Sequence, residues 1–375
     1  MGSDPVAALD VERESALLTW RCIVHPVNVR ALSQPASGPT LEQVARLARV
    51  SRATASRVVN GDRRVSEPAR TAVEGAVREL AYVPNQAARS LVTRRSDSVA
   101  VVIPEPSGQV FGDPFFPRIL RGISEALADE SMQLVLLMPQ GRRDESQVER
   151  YLGAGHSDGV LLISLHGSDP LPDGLRRHGI PTVVGGRPPA EGITYVDVDN
   201  REGAAGAVGH LVDIGRKRIA TIAGPQDMAA GADRLAGYRE RLARTGHPVD
   251  EALVEVGDFT HDGGREAMEQ LLVRAPDLDA VFVASDLMAV GAVAALRARG
   301  RMIPVDVAVV GFDDSQLATT TDPGLSSVRQ PIEEMGREMT RLLMDEIRLP
   351  GRAPRRVILD TQLVVRGSSA GTGRL

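Results

Sequence analysis

The sequence predicts a small all-α head at residues 40–83 followed by a two-lobed α/β body at residues 98–366. Three observations predict it. Residues 40–80 carry apolar positions at helical spacing, the chain from Ser98 onward alternates strand-like and helix-like runs, and the two parts carry opposite charge. A chain of 375 residues is too long for one ordinary core, and 42% hydrophobic with 25% charged residues is a globular composition. No apolar run approaches the roughly 20 residues that span a bilayer. The N-terminus lacks the basic start and apolar stretch of a secretory signal, so a cytoplasmic location is expected. The single Cys22 excludes an internal disulfide, and the seven His are dispersed, with no metal-ligand spacing.

Residues 1–39 show no sustained period and scatter Pro26, Pro35, Ser37, Gly38 and Pro39; we expect a disordered extension, or residues upstream of the true translation start. Leu41, Val44, Ala45 and Ala48 then lie on one face of a first helix. Ala55, Val58 and Val59 mark a second, with Ser51 as its capping candidate. After the turn signal Asn60-Gly61-Asp62, a third follows through Ala69, Val73, Ala76, Val77 and Leu80. Residues 84–97 read as a short conditional helix and linker, too short to be stable alone.

Strand candidates recur at Val99–Ile103, Leu134–Leu137, Val160–Ile163, Thr182–Val184, Ile219–Ile222, Val281–Val283 and Val307–Val310. Amphipathic stretches at 117–130, 201–215, 262–273 and 286–299 separate them, which predicts parallel sheets covered by helices. About 270 residues of this pattern exceed one comfortable core, so two Rossmann-like lobes are expected. We place the first at about 98–197 plus 330–346 and the second at about 198–326 plus 350–366, with 367–375 a flexible tail.

The net charge of −5 conceals an asymmetry. Residues 40–96 hold eleven Arg against five acidic residues, a net of +6, which leaves −11 for the rest. A basic module on an acidic body fits a DNA-binding head. If the second helix packs through Ala55, Val58 and Val59, its opposite stripe is Arg52, Ala53, Ser56, Arg57 and Asn60. That stripe suits the major groove. Arg57 can donate two hydrogen bonds to guanine, Arg52 is a second reader, and Ala53 offers only apolar contact. Thr40, Ser51, Thr54, Ser56, Asn60, Ser66 and Asn85 suit phosphates. The competing reading is a three-helix bundle with a solvated arginine face.

The stretch TLEQVARLARVSRATASRVVN and the VSEPARTAVEGAVRELAYVPNQAARSLVTRRS after it resemble the head of the LacI/GalR repressor family. The resemblance implies a helix-turn-helix, with paired hinge helices that place Leu91 in the minor groove and Ala88 one turn earlier against its floor. An apolar wedge of that kind kinks the duplex at a cost of a few kcal/mol. One departure is Arg49, where the family commonly has Gly in a turn that favours positive φ.

The resemblance continues through DPFFPRILRGISEAL, HSDGVLLIS, VDVDN, AGADRLAGYRERL, DLMAVGAVAAL and VAVVGFDDS, roughly nine-tenths of the chain in all. It implies a type I periplasmic-binding-protein-like body with a small-molecule effector between its lobes. Asp313 and Arg234 then fall at positions that hydrogen-bond the effector, a pairing that suits polyol hydroxyls. Phe116 and Phe259 resemble apolar or stacking positions, with core packing as the alternative. Ser285 stands where sugar-responsive relatives often have Asn, and Gly186-Arg187 where an acidic residue is common; Arg187 would suit a sugar phosphate. A purine-type effector shares the Asp and Arg and stays open.

We find no phosphate loop, no zinc-protease helix and no nucleophile elbow, and expect no catalysis, cofactor or metal. The expectation is a repressor, dimeric on a pseudo-palindromic double-stranded operator and released by a sugar or sugar derivative. The Gly/Ser-rich end lacks a leucine heptad, so no coiled-coil tetramer is expected. The rivals are a transport solute-binding protein, which would need a signal sequence, and an α/β enzyme such as a sugar kinase or nucleoside hydrolase.

Overall fold

The computed structural model describes residues 38–62, 64–83, 95–167 and 169–370. The expected hinge residues Asn85, Ala88 and Leu91, and residues 1–37 of the expected extension, lie outside them. The chain divides near Asn85 into two compact units.

Among the described residues the first unit holds three helices, α1 (Leu41–Leu47), α2 (Arg52–Val59) and α3 (Glu67–Glu79). Thr40 starts α1 with a capping box: its hydroxyl accepts from the Gln43 N–H, and its own N–H donates to Gln43 Oε1 at 2.7 Å. Ser51 Oγ caps α2 by accepting from Thr54 N at 3.0 Å. The core is small, built from Val44, Ala45, Ala48, Ala55, Val58, Val73 and Ala76. Alanine and valine at these positions let three short helices approach closely.

The second unit contains two six-stranded sheets. The first lobe runs β1 (Ser98–Val102), α4 (Ser107–Gly112), α5 (Phe115–Asp129), β2 (Gln133–Leu137), α6 (Arg142–Gly153), β3 (Gly159–Ile163), α7 (Leu171–Arg177), β4 (Thr182–Gly185) and β5 (Thr194–Val198). The second runs α8 (Asn200–Asp213), β6 (Ile219–Ala223), α9 (Ala229–Arg244), β7 (Val254–Val256), α10 (His261–Arg274), β8 (Ala280–Val283), α11 (Asp286–Ala298), β9 (Ala308–Asp313), α12 (Gln316–Thr320) and β10 (Ser326–Arg329). The chain returns to the first lobe for α13 (Ile332–Arg348) and β11 (Arg356–Leu359), then crosses back for β12 (Gln362–Val364). The sheet orders are β11-β5-β4-β3-β1-β2 and β12-β10-β9-β8-β6-β7. Every pair is parallel except β10–β12. Strands such as β1, β3 and β6 are buried along their whole length, as helices on both faces require. Gly122 of α5 lets α13 in: a Cβ there would come within 2.0 Å of Glu333 O.

Two expectations are corrected. Residues 350–359 stay with the first lobe, because β11 pairs with β5 and buries Val357 and Leu359 against that lobe's core. The segment 367–370 is docked, not loose. Ser368 exchanges backbone and side-chain bonds with Val309 and Ser326, and Ser369 Oγ sits 2.8 Å from His210 Nε2. Its hydroxyls take up polar backbone that a Gly/Ser-rich tail would otherwise leave to solvent. Residues 371–375 lie outside the described residues.

Candidate functional site

In the head, burial of Ala55 and Val58 turns Arg52, Ala53, Arg57 and Asn60 outward, and all four are exposed. Arg52 Nε lies 2.6 Å from Glu42 Oε1 with both side chains more than half exposed, a surface pair worth little in water. Thr54 Oγ1 and Ser51 Oγ share a 2.9 Å bond, and Asn60 Nδ2 donates to Ser56 Oγ at 3.3 Å. Ser66 begins α3 without a side-chain cap bond. The turn before α2 holds Arg49 at φ 53°, so the left-handed conformation is kept without glycine.

In the body, one cleft between the lobes collects Phe116, Arg187, Arg234, Phe259, Ser285 and Asp313 on its walls. It encloses about 840 Å³ including its mouth, within the range of small-molecule sites. Arg234 is its electrostatic centre. The guanidinium, 5% exposed, donates from Nε to Asn200 Oδ1 (2.8 Å) and from Nη1 to Ala284 O (2.6 Å), and lies 3.7 Å over the Phe312 ring. Asp313 Oδ1 stands 3.9 Å from Nη1, too far for a hydrogen bond. Of five N–H donors, three therefore lack a hydrogen-bond partner among the described residues.

Around it stand Asp113, Asp197 and Asp313, all buried. Burial, then the charge of Asp313, pushes the Asp113 carboxyl up to about 7. Burial carries Asp197 to about 6, against bonds from the N–H groups of Val198 and Arg187. Asp313 is raised by burial and held down by Arg234. It ends β9 at φ 111°, accepts from Gln330 Nε2, and its carbonyl accepts from Arg118 Nη1 at 3.1 Å. Asp286 supports that turn from behind, accepting from Ser315 N (2.7 Å) and Ser327 Oγ (2.6 Å); burial lifts it to about 8. Phe259 closes the apolar side, which requires Gly224: a Cβ there would come within 2.2 Å of the ring.

Two candidates on the cleft wall also have partners within the protein. Arg187 points its guanidinium at Asp233 of α9 (2.6 Å), so a cross-lobe carboxylate occupies the group expected to suit a phosphate. Ser285 caps α11, its Oγ accepting from Met288 N at 3.2 Å. Phe116 is 3% exposed and packs edge-on against Phe115 as well as bordering the cleft. Asp113, Asp197, Asn200 and Gln330 were not singled out from sequence. The first three sit inside the recognisable pieces DPFFPRIL and VDVDN, so a signal for them was present.

A three-helix head joined to a two-lobed body with a buried polar cleft defines a ligand-responsive DNA-binding regulator. A family model described as "Bacterial regulatory proteins, lacI family" matches residues 40–85, and one described as "Periplasmic binding protein-like domain" matches residues 208–369. The HTH-type transcriptional regulator CelR of Thermobifida fusca is 52% identical over 333 residues, 88% of this chain and 98% of that protein. A structure titled as a CelR–cellobiose complex is 50% identical with TM-score 0.71, covering 88% of this chain and 99% of that one. The lac repressor dimer bound to operator and an anti-inducer is 26% identical with TM-score 0.79 over the same shares. The chain belongs to the LacI family of bacterial transcriptional regulators. Among the described residues no helix is long and apolar enough to cross a membrane, and no group of three or more His, Cys, Asp or Glu could hold a metal.

Proposed function

We propose that this protein is a cytoplasmic, non-catalytic repressor that binds operator DNA as a dimer and is released by a neutral sugar, cellobiose or a disaccharide like it. The observation that carries the effector class is Arg234, a buried guanidinium with three free donors ringed by Asp113, Asp197 and Asp313. Hydroxyl groups satisfy both partners, donating to carboxylates and accepting from the guanidinium. A phosphate would meet three carboxyls and one cation already flanked by them, and desolvating a dianion there is costly. The cellobiose in the CelR complex supplies the size of the ligand. Phe259 and Phe116 offer apolar surface for a pyranose face.

In the head, Arg52, Ala53 and Arg57 are assigned to base edges. Thr40, Ser51, Thr54, Ser56, Asn60 and Ser66 are assigned to phosphates, with Asn85 and the Ala88–Leu91 wedge carried over from the family pattern. Effector in the cleft favours one relative setting of the lobes and thereby changes operator affinity. The test is binding of the full-length protein to its own promoter DNA, titrated with cellobiose, glucose and glucose 6-phosphate. Release by cellobiose at concentrations where the phosphate has no effect is the expected result. Release by glucose 6-phosphate alone would overturn the neutral-sugar assignment, and unaltered binding with all three would overturn the effector class.

A further inference from the structure

We infer that His166 is a titratable latch that ties the two lobes together across the mouth of the effector cleft, and this rests on the cleft being the effector site. Away from the crossing segments, side chains of three first-lobe residues reach the second lobe among the described residues. Arg118 donates to Asp313 O, Arg187 pairs with Asp233, and His166 pairs with Asp227. The first two use guanidinium groups, which keep their charge at any working pH. His166 is the one of the three whose charge can change within a mildly alkaline range.

The geometry specifies the charged form. His166 Nδ1 lies 3.0 Å from Asp227 Oδ2, on the loop after β6, and Nε2 lies 2.9 Å from Glu105 Oε1, on the loop after β1. A neutral imidazole has one N–H and would turn a lone pair toward one of the carboxylates; the imidazolium donates to both. Gly167 N also donates to Asp227 O at 2.8 Å, so the contact has a backbone half that does not titrate. Glu105 is nearly buried, at 6% side-chain exposure, and is fixed by Ser164 Oγ at 2.6 Å. Asp227 is 53% exposed. When the ring loses a proton, the remaining one stays with buried Glu105, and the contact given up is the one between lobes.

These two carboxylates are the charged groups acting on the ring. The bond to Glu105, opposed by burial and aided by Asp227, raises the imidazole to about 9. The sign follows. Closure gained through His166 is complete while the ring stays charged in both settings of the lobes, and it is lost as pH rises through about 9. A cleft latched in this way holds its effector more tightly at neutral than at alkaline pH.

The test uses the full chain with Cys22→Ser and spin labels at Arg177→Cys, in the first lobe, and Val273→Cys, in the second. Inter-label distances are compared at pH 7 and pH 10 in this parent, in His166→Gln and in Asp227→Asn. Asp227→Asn leaves the buried Glu105–His166 pair intact, which guards against a His166→Gln protein that fails to fold. The expected result is a parent whose lobes separate or broaden at pH 10, and variants that already show this at pH 7. A parent distribution identical at both pH values and in Asp227→Asn would overturn the latch. Cellobiose titration of the same samples separates the two readings. From pH 7 to pH 10 affinity in the parent should fall about three- to fivefold further than in Asp227→Asn, in which the cleft carboxyls still respond to pH. Cellobiose bound by none of the samples, with the distances still responding, would count against the sugar assignment and leave the latch standing. Equal affinities and equal pH profiles in parent and Asp227→Asn would count against the latch.

Discussion

The head and the cleft use polar residues in opposite ways. On the head, Thr40, Ser51 and Asn60 are exposed, and each makes its side-chain bond within three or four residues of itself. In the cleft, Arg234, Asp113, Asp197 and Asp313 are buried, and partners such as Asn200 and Gln330 come from distant parts of the chain. A surface that meets a polyanion keeps its arginines hydrated and ready, because phosphates supply the missing charge. A cleft that encloses a neutral ligand has to balance its own charges before the ligand arrives. The head is therefore expected to tolerate loss of one polar group as a loss of affinity alone, whereas the cleft should lose binding and stability together.

The largest effect that tests this contrast is Arg234→Ala. It removes the cation that donates to Asn200 and Ala284 O and leaves Asp113, Asp197 and Asp313 facing one another. We expect cellobiose affinity to fall about 100-fold, with a loss of about 3–5 kcal/mol in sensor stability, read by calorimetric titration and denaturant unfolding. A variant of normal stability with a merely weakened response would break the idea that the cleft balances its own charge. Next in size, Arg57→Ala should cost about 1–3 kcal/mol of operator affinity and relax the preference at one base pair, with cellobiose affinity and unfolding unchanged. Equal weakening on every DNA sequence would move Arg57 from base reading to phosphate contact.

A third effect concerns pH. Burial raises Asp197, Asp113 and Asp286 to about 6, 7 and 8, while the Arg64 hydrogen bond lowers Asp62 of the head to about 2. A raised carboxyl stabilises the fold below its unfolded value and loses that contribution as pH climbs through its folded value. Between pH 6 and 8.5 the sensor should therefore lose on the order of 4 kcal/mol, or roughly 10 °C in melting temperature. Asp62 is ionised throughout that window, so amide exchange in α1–α3 should not respond to it. Asp113→Asn should shallow the sensor's slope, and an unchanged slope would remove Asp113 from the cluster.

The same contrast explains what could be read from the sequence. The head's stripe was legible because a helix face is a local property: burying Ala55 and Val58 exposes Arg52 and Arg57 without reference to the rest of the chain. Parallel strands buried on both faces gave apolar runs, so β1, β3 and β8 stood out. Strands that are short or interrupted by polar residues did not. β5 carries Asp197 one residue before its end, β10 opens with two serines whose hydroxyls are hydrogen-bonded, and β7 and β12 are three residues long. The lobe boundary near 350 was missed because a return strand's sheet is decided by pairing, which local pattern does not encode. The Arg187 partner was not legible for a related reason, since only the fold brings Asp233 to it.

The smallest effect sharpens the comparison inside the head itself. Its three helices end in the same way, each with a left-handed residue followed by a backbone bond spanning the last turn: Val50 N to Ala45 O, Asp62 N to Arg57 O, and Tyr82 N to Val77 O. The left-handed residues are Arg49 (φ 53°), Gly61 (φ 75°) and Ala81 (φ 47°). Glycine adopts this conformation without penalty, and an L side chain adopts it at about 1 kcal/mol. Arg49→Gly should therefore stabilise the head by about 0.5–1 kcal/mol, less the entropy that glycine adds to the unfolded chain. Gly61→Ala should destabilise it by a similar amount. Slower amide exchange across residues 41–59 of the full chain in the first variant, and faster exchange in the second, are the expected readouts. Arg49 is exposed and lies in the turn between α1 and α2, so the same substitution removes one positive charge from the end of α2 proposed to face DNA. If Arg49→Gly is more stable yet binds operator less steeply with salt, the arginine was kept for phosphate at the expense of the turn. If stability does not rise, the Arg49 side chain contributes packing or charge that offsets its strained backbone.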